Sequence, residues 1–354
     1  ITGGTGGHVI PAKNFANYLS SKNIDCTIIT DRRGYKYLNN YKRKVYVISS
    51  SNLNGNLILK IFGIFQILFG LIQSLIIIFF IKPSHSISFG SYASFTPMLI
   101  CIILKPFYKV NIYIHEQNSI IGRTNKFFLK FINKLFLNFN IKSKINTKLK
   151  DKILIVGSPE KNFLTNIKNN RENLEDVFTI FISGGSQGSE FVSKFATNLI
   201  KIIDSEKVIK AKFIFQCSKN MIKNIEEELK NIKSTIILKD FFTNIDEILF
   251  NVNLSICRSG AGTIIDLINF RLPSILIPLP SSKDNHQFLN ASILVKHNLA
   301  IIIDQNNVEL DKAKKYIYEI FANPKKIESI NKKFDRIKVK NSNSLIYKTI
   351  VNEN

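Results

Sequence analysis

The chain has 354 residues, and its 49 Lys and Arg against 26 Asp and Glu give a formal net charge of +23. At roughly 100–200 residues per domain this length predicts two domains, and a hydrophobic content of 45% excludes global disorder. The charge favours an anionic partner, although the Lys- and Asn-rich composition of the whole chain accounts for part of it. The four cysteines form no CxxC pair and the five histidines are dispersed. We therefore expect no disulfide framework, no zinc site and a reducing compartment.

Short apolar runs alternate with helical stretches, and the alternation restarts near Gly157–Pro159, a turn signal. The predicted strands of the first half are Cys26–Thr30, Val45–Ile48, His85–Phe89 and Asn111–Ile114. Those of the second half are Ile153–Val156, Val177–Ser183, Ala211–Gln216, Thr235–Leu238, Leu254–Cys257 and Ser274–Ile277. Two such series predict two α/β domains with parallel sheets. Because the chain runs from Ile1-Thr2 at once into glycines, we expect a truncated first strand.

The segment Asn56–Ile81 is exceptionally apolar, with no charge between Lys60 and Lys82. About 20 apolar residues are long enough to span a bilayer. Three interpretations are open: a membrane span, a buried helix, or a helix with one face on a membrane surface. A span would split what reads as one α/β domain, so the surface helix is favoured.

A glycine-rich run, Gly3–His8, precedes the helical stretch Ala12–Ser20. Glycines at a helix N-terminus let backbone amides approach a phosphate. A dinucleotide fingerprint fits only weakly, because Val9 occupies its third glycine position, although Asp31 follows the next strand where an acid could hold a ribose. We therefore predict a phosphate-binding loop here rather than a mere tight turn.

The run Gly184–Ser189 repeats the arrangement of strand, glycine loop and helix in the second half. Ser186 adds a hydroxyl that can donate to a phosphate oxygen, and no G-K-[ST] follows, so this is not a Walker A loop. One such loop in each domain predicts two phosphorylated ligands that meet in a cleft. This disfavours a simple dehydrogenase.

Three polar segments follow other predicted strands. Cys257–Thr263 opens a helix on whose first turn we place Asp266, which can accept two ribose hydroxyls or complement the helix dipole. Asp284–Ala291 is dense in groups that bind sugar hydroxyls, the alternative being a solvated helix start. His115–Asn118 ends a strand, where polar residues face the ligand crevice of an open α/β sheet.

Four motifs in order resemble the MurG family of peptidoglycan N-acetylglucosaminyltransferases. They are Gly3–Ala12, His115–Asn118 with Gly122 and Asn125-Lys126, Gly184–Gly188, and Arg258–Ala261 with His286-Gln287 and Asn290-Ala291. The resemblance runs from Ile1 to about Ala291. It implies a GT-B fold: two Rossmann-like parallel-sheet domains facing across a cleft. The implied divisions are an acceptor and membrane domain at 1–157, a UDP-sugar domain at 158–336, and a returning C-terminal helix at 337–354.

The resemblance also implies an activity: inverting transfer of N-acetylglucosamine from UDP-N-acetylglucosamine to the muramoyl sugar of lipid I, giving lipid II, without metal or cofactor. It implies a peripheral enzyme on the cytoplasmic face of the inner membrane, held by an apolar patch ringed by basic residues. Asn56–Ile81, with Lys126, Lys130 and Lys134 among Phe127, Phe128 and Phe131, matches that patch. The implied partners are the two substrates and an anionic membrane surface, not nucleic acid.

Roles carry over from the family to matching positions. His8 is the implied general base on the acceptor hydroxyl, and Tyr92 lies on the acceptor side. The implied donor-binding residues are Thr5, Gly6, Gly7, Asn118, Lys161, Ser186, Phe242, Ala261, Gly262, Thr263, Ile264, Ile265, Asp266 and Gln287. Of these, Phe242 is at the position where main-chain groups bind the uracil.

The chain departs from the family pattern at three places. Asp266 replaces a Glu, Lys161 replaces an Arg that can bind bidentately, and Ser91 replaces the Gly before the acceptor Tyr. Two alternatives therefore stay open: another nucleotide-sugar GT-B transferase, and a degenerate, non-catalytic homologue at the membrane. A nucleic-acid binder would rest on the charge alone, because no helix-turn-helix, finger or RNA-binding signature is present.

Overall fold

The structure, a computed structural model, describes residues 1–39, 41–53, 55–141, 145–159, 177–185, 188–339 and 341–352. The chain divides into two compact units. Unit 1 comprises Ile1–Thr165 and Val339–Asn354, and unit 2 comprises Asn166–Lys338. Lys161 and Ser186, two of the implied donor-binding residues, lie outside the described residues.

Strands and helices alternate along both units. The strands are β1 Ile28–Asp31, β2 Val45–Ile48, β3 His85–Ser88, β4 Asn111–Glu116, β5 Lys134–Leu137, β6 Ile153–Ile155, β7 Phe178–Ser183, β8 Ala211–Gln216, β9 Thr235–Lys239, β10 Leu254–Cys257, β11 Ser274–Leu276 and β12 Ala300–Ile302. The helices are α1 Gly6–Ser21, α2 Arg32–Tyr35, α3 Leu57–Ile81, α4 Phe95–Leu104, α5 Arg123–Phe128, α6 Glu190–Glu206, α7 Ile222–Leu229, α8 Ile245–Phe250, α9 Ala261–Asn269, α10 His286–Val295, α11 Leu310–Phe321, α12 Pro324–Ile337 and α13 Ser342–Val351.

Unit 1 contains a parallel β1–β2 pair and a parallel sheet in the order β3-β4-β5-β6. The first two residues connect them, because the Thr2 amide donates to Ile29 O at 3.0 Å and the Phe89 amide donates to Ile1 O at 2.8 Å. Phe15 of α1, Tyr113 of the sheet and Ile346 of α13 share one buried cluster. The glycine run that follows Thr2 is thereby held at the carboxyl ends of β1 and β3.

Unit 2 is a six-stranded parallel sheet in the order β12-β11-β10-β7-β8-β9. Residues at helical spacing on α6, such as Val192, Phe195 and Leu199, are buried, as expected for an amphipathic helix. The chain order reverses between β7 and β10. Ligands of open α/β sheets bind outside the carboxyl ends of strands at such a switch point. The fold class predicted from the sequence is thus confirmed in both units.

Three element assignments made from the sequence were wrong. The first helix begins at Gly6 and not near Ala12, because the Thr5 carbonyl accepts the amides of His8 and Val9. This early start was not predicted because glycine has a low helix propensity. The short strands β5 and β12 were not predicted. Phe128 is buried and does not belong to a surface patch, whereas Lys134, the first residue of β5, is partly exposed.

Helix α3 packs through a narrow stripe and exposes the rest of its apolar circumference. Gly63, Gly70, Ser74 and Ile78 are its buried residues. A Cβ at Gly70 would lie 2.2 Å from the Ser49 carbonyl oxygen, so only glycine permits this approach. Only 17% of the residues in the most apolar 18-residue stretch of α3 are buried, so the interpretation of this segment as a buried helix was wrong. Within the described part of the chain, α3 is the one helix long and apolar enough to cross a membrane, by length and composition.

Candidate active site

The glycine loop of unit 1 is fixed by Asp31. The Asp31 carboxylate is buried, and its Oδ1 accepts the amide of Gly4 at 2.8 Å and that of Gly34 at 2.9 Å. Gly4 has φ +77°, a conformation that favours glycine. Asp31 thus ties the loop to the start of α2. A carboxylate committed to these amides is not available to hold a ribose, which removes the main support for the dinucleotide alternative.

His8 is the third residue of α1, and its ring is oriented by a carbonyl group. Its Nδ1 lies 2.8 Å from the Phe89 carbonyl oxygen. Because that oxygen can only accept, we assign the proton of the neutral ring to Nδ1, which leaves a lone pair on Nε2. Gly90, at φ +87°, lies against the ring, and a Cβ there would be 3.1 Å from Nδ1. The partly exposed ring therefore presents Nε2 as a potential base.

Tyr92 follows β3 and lies beside Arg33, a residue that sequence reasoning missed. The Arg33 guanidinium carbon is 4.4 Å from the centroid of the Tyr92 ring. The only available signal was its position just after β1, at the same edge as the glycine loop. Ser91, at φ 76° and ψ 152°, occupies a region that is essentially restricted to glycine and costs about 1–3 kcal/mol. This conformation is a physical reason for a glycine there.

The His115–Asn118 segment is mainly structural, contrary to the expectation that all of it faces a crevice. His115 is buried, donates through Nε2 to Gly157 O at 2.8 Å, and accepts from the Gln117 amide. The Glu116 carboxylate accepts the amides of Asn118 and Gly122. Strand β4 runs through Glu116, and its residues from Ile112 to Glu116 are buried on both faces of the sheet. Asn118 is the partly exposed member of the group.

Acidification is expected to destabilise unit 1 through His115. Burial lowers the pKa of His115 from 6.5 to about 4, so the unfolded chain takes up a proton first as the pH falls. Stability that is present above pH 6.5 is then lost towards pH 4, by about 2 kcal/mol between about pH 7.5 and pH 5. Urea unfolding at both pH values should show a correspondingly smaller pH effect in His115→Gln. An equal pH effect in both proteins would contradict this.

In unit 2, the glycine loop after β7 turns tightly onto α6. The Gly188 amide donates to Gly185 O at 3.0 Å, and a Cβ at Gly184 would lie 2.4 Å from the Ser189 nitrogen. Ser189 caps α6 by accepting the Val192 amide. The loop and the helix N-terminus thus face the switch point of the sheet, where amides and the helix dipole favour an anion.

Arg258 connects the elements that surround this switch point. It is buried, and its Nη1 donates to the carbonyls of Ile277 at 3.0 Å and Pro278 at 3.2 Å. Its Nη2 donates to Ser189 Oγ at 2.7 Å and Gln305 Oε1 at 2.9 Å. The guanidinium therefore joins the ends of β10 and β11 to the cap of α6. Arg258 belongs to one of the family motifs, but nothing in the local sequence predicts this role.

The segment Ala261–Asp266 divides between two faces of α9. Ala261 and Ile264 are buried, so the side chain of Ile264 is not available to a donor. Gly262, Thr263, Ile265 and Asp266 are partly exposed. Because α9 begins at Ala261, Asp266 lies on the second turn and not on the first. The helix-dipole alternative is weakened, since that effect falls off within the first turn.

Gln287 and Phe242 have defined structural contacts. The Gln287 Oε1 accepts the Leu279 amide at 3.0 Å, which ties α10 to the loop after β11. Phe242 is buried with its ring edge-on to Phe181, so its side chain is not available to a ligand. In the described ranges, no cluster of three or more His, Cys, Asp or Glu could hold a metal.

Comparisons with known proteins indicate the family to which the chain belongs. Residues 1–137 match the glycosyltransferase family 28 N-terminal domain, and residues 179–346 match the glycosyltransferase family 28 C-terminal domain. A Rickettsia canadensis protein named UDP-N-acetylglucosamine–N-acetylmuramyl-(pentapeptide) pyrophosphoryl-undecaprenol N-acetylglucosamine transferase is 31% identical over 330 residues, 93% of this chain and 91% of its own length. A protein of the same name from a Wolbachia strain of Drosophila simulans is 29% identical, covering 99% of this chain and 97% of its own. The crystal structure of Acinetobacter baumannii MurG superposes with a TM-score of 0.78 at 19% identity, over 99% of this chain and 98% of that one.

Proposed function

The chain belongs to glycosyltransferase family 28, among the MurG enzymes, and on that premise we propose that it transfers N-acetylglucosamine from UDP-N-acetylglucosamine to the muramoyl sugar of lipid I. The product is lipid II, the precursor of peptidoglycan, on which cell shape and division depend. The observation that carries the proposal is the His8 ring, whose Nδ1 contact with Phe89 O leaves Nε2 as a base.

The proposed mechanism uses groups from each unit. His8 Nε2 takes the proton of the acceptor hydroxyl as that oxygen attacks the anomeric carbon of the donor sugar. The bond from this carbon to the UDP oxygen breaks, so UDP leaves with its electron pair and the configuration inverts. The negative charge that develops on UDP is met by the glycine loop after β7 and the N-terminus of α6. The implied contribution of Ser186 and Lys161 remains a prediction.

Asp266 tests the donor part of this proposal. Asp266→Asn should weaken the binding of UDP more than the binding of 2′-deoxy-UDP, because Asp266 is assigned to the ribose hydroxyls. A hydrogen bond to a charged group contributes about 1.5–3 kcal/mol. Calorimetric titration measures both affinities, with exposed Asp311→Asn as the matched control. Equal losses for the two nucleotides would show that Asp266 does not bind the ribose. Asp266→Glu keeps the carboxylate and should therefore keep the wild-type preference for UDP over 2′-deoxy-UDP.

We also propose that α3 lies on the cytoplasmic face of the inner membrane without crossing it. The helix exposes apolar side chains that include Phe62, Phe65, Phe69, Ile72, Ile76 and Phe80. Exposed Lys60, Lys105, Lys126 and Lys130 belong to the same unit, and each basic residue near an anionic surface contributes about 1 kcal/mol. The hydrogen bonds of Ile1-Thr2 join β1, which precedes α3, to β3, which follows it. This favours a single compartment for both.

Vesicle binding tests this location. The protein should sediment with anionic phospholipid vesicles, high salt should release part of it, and detergent should release the remainder. Phe65→Glu with Phe69→Glu should abolish most binding, whereas Val208→Glu, an exposed apolar position in unit 2, should retain it. Equal binding of the two variants would place the membrane contact elsewhere.

A further inference from the structure

The carboxylate of Glu116 is buried at the carboxyl end of β4 and is surrounded by hydrogen-bond donors. Its Oε1 accepts the Asn118 backbone amide at 3.0 Å and Asn118 Nδ2 at 3.3 Å. Its Oε2 accepts the Gly122 amide at 2.8 Å and Asn125 Nδ2 at 2.8 Å. A carboxylate only accepts hydrogen bonds. It therefore matches four donors, whereas a side-chain amide of the same shape would turn its own NH₂ group towards some of them.

The contact with Asn118 orients a side chain that the family resemblance assigns to the donor sugar. Asn118 is partly exposed, and both its main chain and its side chain donate to the same oxygen of Glu116. Because Nδ2 is turned towards Glu116, the Oδ1 of this amide lies on the side away from the carboxylate. The orientation of the amide decides whether a sugar hydroxyl meets an acceptor or a donor, and transfer depends on such geometry.

The contact with Asn125 extends the network towards the ring of His8. Asn125 is buried, and within the described ranges its Oδ1 has no hydrogen-bond partner. The hydrogen bond from Nδ2 to Glu116 therefore sets the orientation of this amide. A Cβ at Gly90 would lie 3.4 Å from Asn125 Nδ2 and 3.1 Å from His8 Nδ1, so both side chains pack against Gly90. One carboxylate thus supports the surroundings of both Asn118 and His8.

We propose that Glu116 is a positioning residue for sugar transfer, which acts by holding the amides of Asn118 and Asn125 in one orientation. The inference rests on the proposed function, which gives Asn118 and His8 their roles. Glu116 itself moves no proton in the transfer. If it served only to stabilise the start of α5, its replacement would lower the stability of unit 1 and leave turnover unchanged.

An exchange of groups between positions 116 and 125 tests the hydrogen-bond pattern, with a short-chain lipid I analogue as acceptor. Glu116→Gln turns an NH₂ group towards N–H donors and should lower kcat about 10–100-fold, as expected for a buried donor left unsatisfied. Asn125→Asp places a second carboxylate beside Glu116 and should lower kcat at least as much. In the double variant the amide at position 116 can donate to the carboxylate at position 125. Its kcat should therefore be at least about fivefold above that of Asn125→Asp, with incomplete recovery because the Gly122 amide has lost a carboxylate oxygen.

Three further measurements distinguish positioning from a purely structural role. Calorimetric titration should show wild-type affinity for UDP in Glu116→Gln, because the nucleotide is assigned to unit 2. In an Asn118→Ala background, Glu116→Gln should lower kcat much less than in the wild type, since residues in one network act non-additively. Asn133→Ala is the matched control. Asn133 Oδ1 accepts the Ile112 amide at 3.0 Å near the amino end of β4, so this variant should lose stability in urea and keep wild-type kcat.

Turnover of the wild type separates this inference from the proposed function. If the wild type transfers the sugar and Glu116→Gln loses stability but keeps its kcat, as Asn133→Ala does, the positioning role is wrong and the function stands. A further fall in kcat when Glu116→Gln is added to Asn125→Asp would also overturn the positioning role. If the wild type transfers no sugar, and urea unfolding still shows recovery in the double variant, the proposed function is wrong and the hydrogen-bond pattern stands.

Discussion

Replacing His8 by alanine should lower the turnover of lipid I analogues by about 10²–10⁴-fold, the usual loss on removing a general base. The reason is geometric: Phe89 O fixes the proton on Nδ1, and Nε2 is left to accept the proton of the sugar hydroxyl. UDP affinity should be unchanged, because the nucleotide is assigned to unit 2. Steady-state kinetics and calorimetric UDP titration measure the two quantities.

Two further variants separate loss of the base from loss of structure. The side-chain amide of His8→Gln can still donate to Phe89 O but cannot take up a proton, so this variant should be about as inactive as His8→Ala and fold normally. His297→Ala removes an exposed histidine of unit 2 and should keep wild-type turnover. Near-normal activity in His8→Gln would reject His8 as the base.

Replacing Arg258 by methionine should destabilise unit 2 by on the order of 3 kcal/mol, because buried acceptors left without a donor cost about 1–3 kcal/mol each. The carbonyls of Ile277 and Pro278 cannot rotate towards other donors, whereas the side chains of Ser189 and Gln305 can. Affinity for UDP should also fall, since Arg258 orients the cap of α6. Urea unfolding combined with hydrogen exchange of β7 and β10 measures the effect within unit 2.

Arg271→Met is the matched control for this variant. Arg271 pairs with Asp335 at 2.7 Å, and both side chains are partly exposed, so its loss should cost less than about 1 kcal/mol. If the two methionine variants lose equal stability, the hydrogen bonds of Arg258 are not what holds the loops of unit 2 together.

The alternation of strands and helices determined the fold class, because hydrophobic periodicity and glycine turns are local properties of a chain. Ala211–Gln216 and Leu254–Cys257 were predicted with their observed bounds. The strands β5 and β12 were missed although they are no shorter than β10 and β6, which were predicted, so length alone does not explain the difference. The resemblance to the transferase family likewise depended on short motifs, Gly3–His8 and Gly184–Gly188, that can be read without a structure.

The tertiary structure alone decided which polar residues of those motifs are available to a ligand. The Asp31 carboxylate accepts a hydrogen bond from Gly4, 27 residues away. The His115 ring donates to Gly157, 42 residues away, and the Arg258 guanidinium donates to Ser189, 69 residues away. Such contacts depend on which loops the parallel sheets bring to one edge, and a hydrogen-bond partner so distant leaves no local pattern in the sequence. The sequence by itself thus determined the fold, the family and the positions of the two glycine loops. The three-dimensional packing decided that Asp31, His115 and Glu116 support the site from within, and that Arg33 lies beside Tyr92.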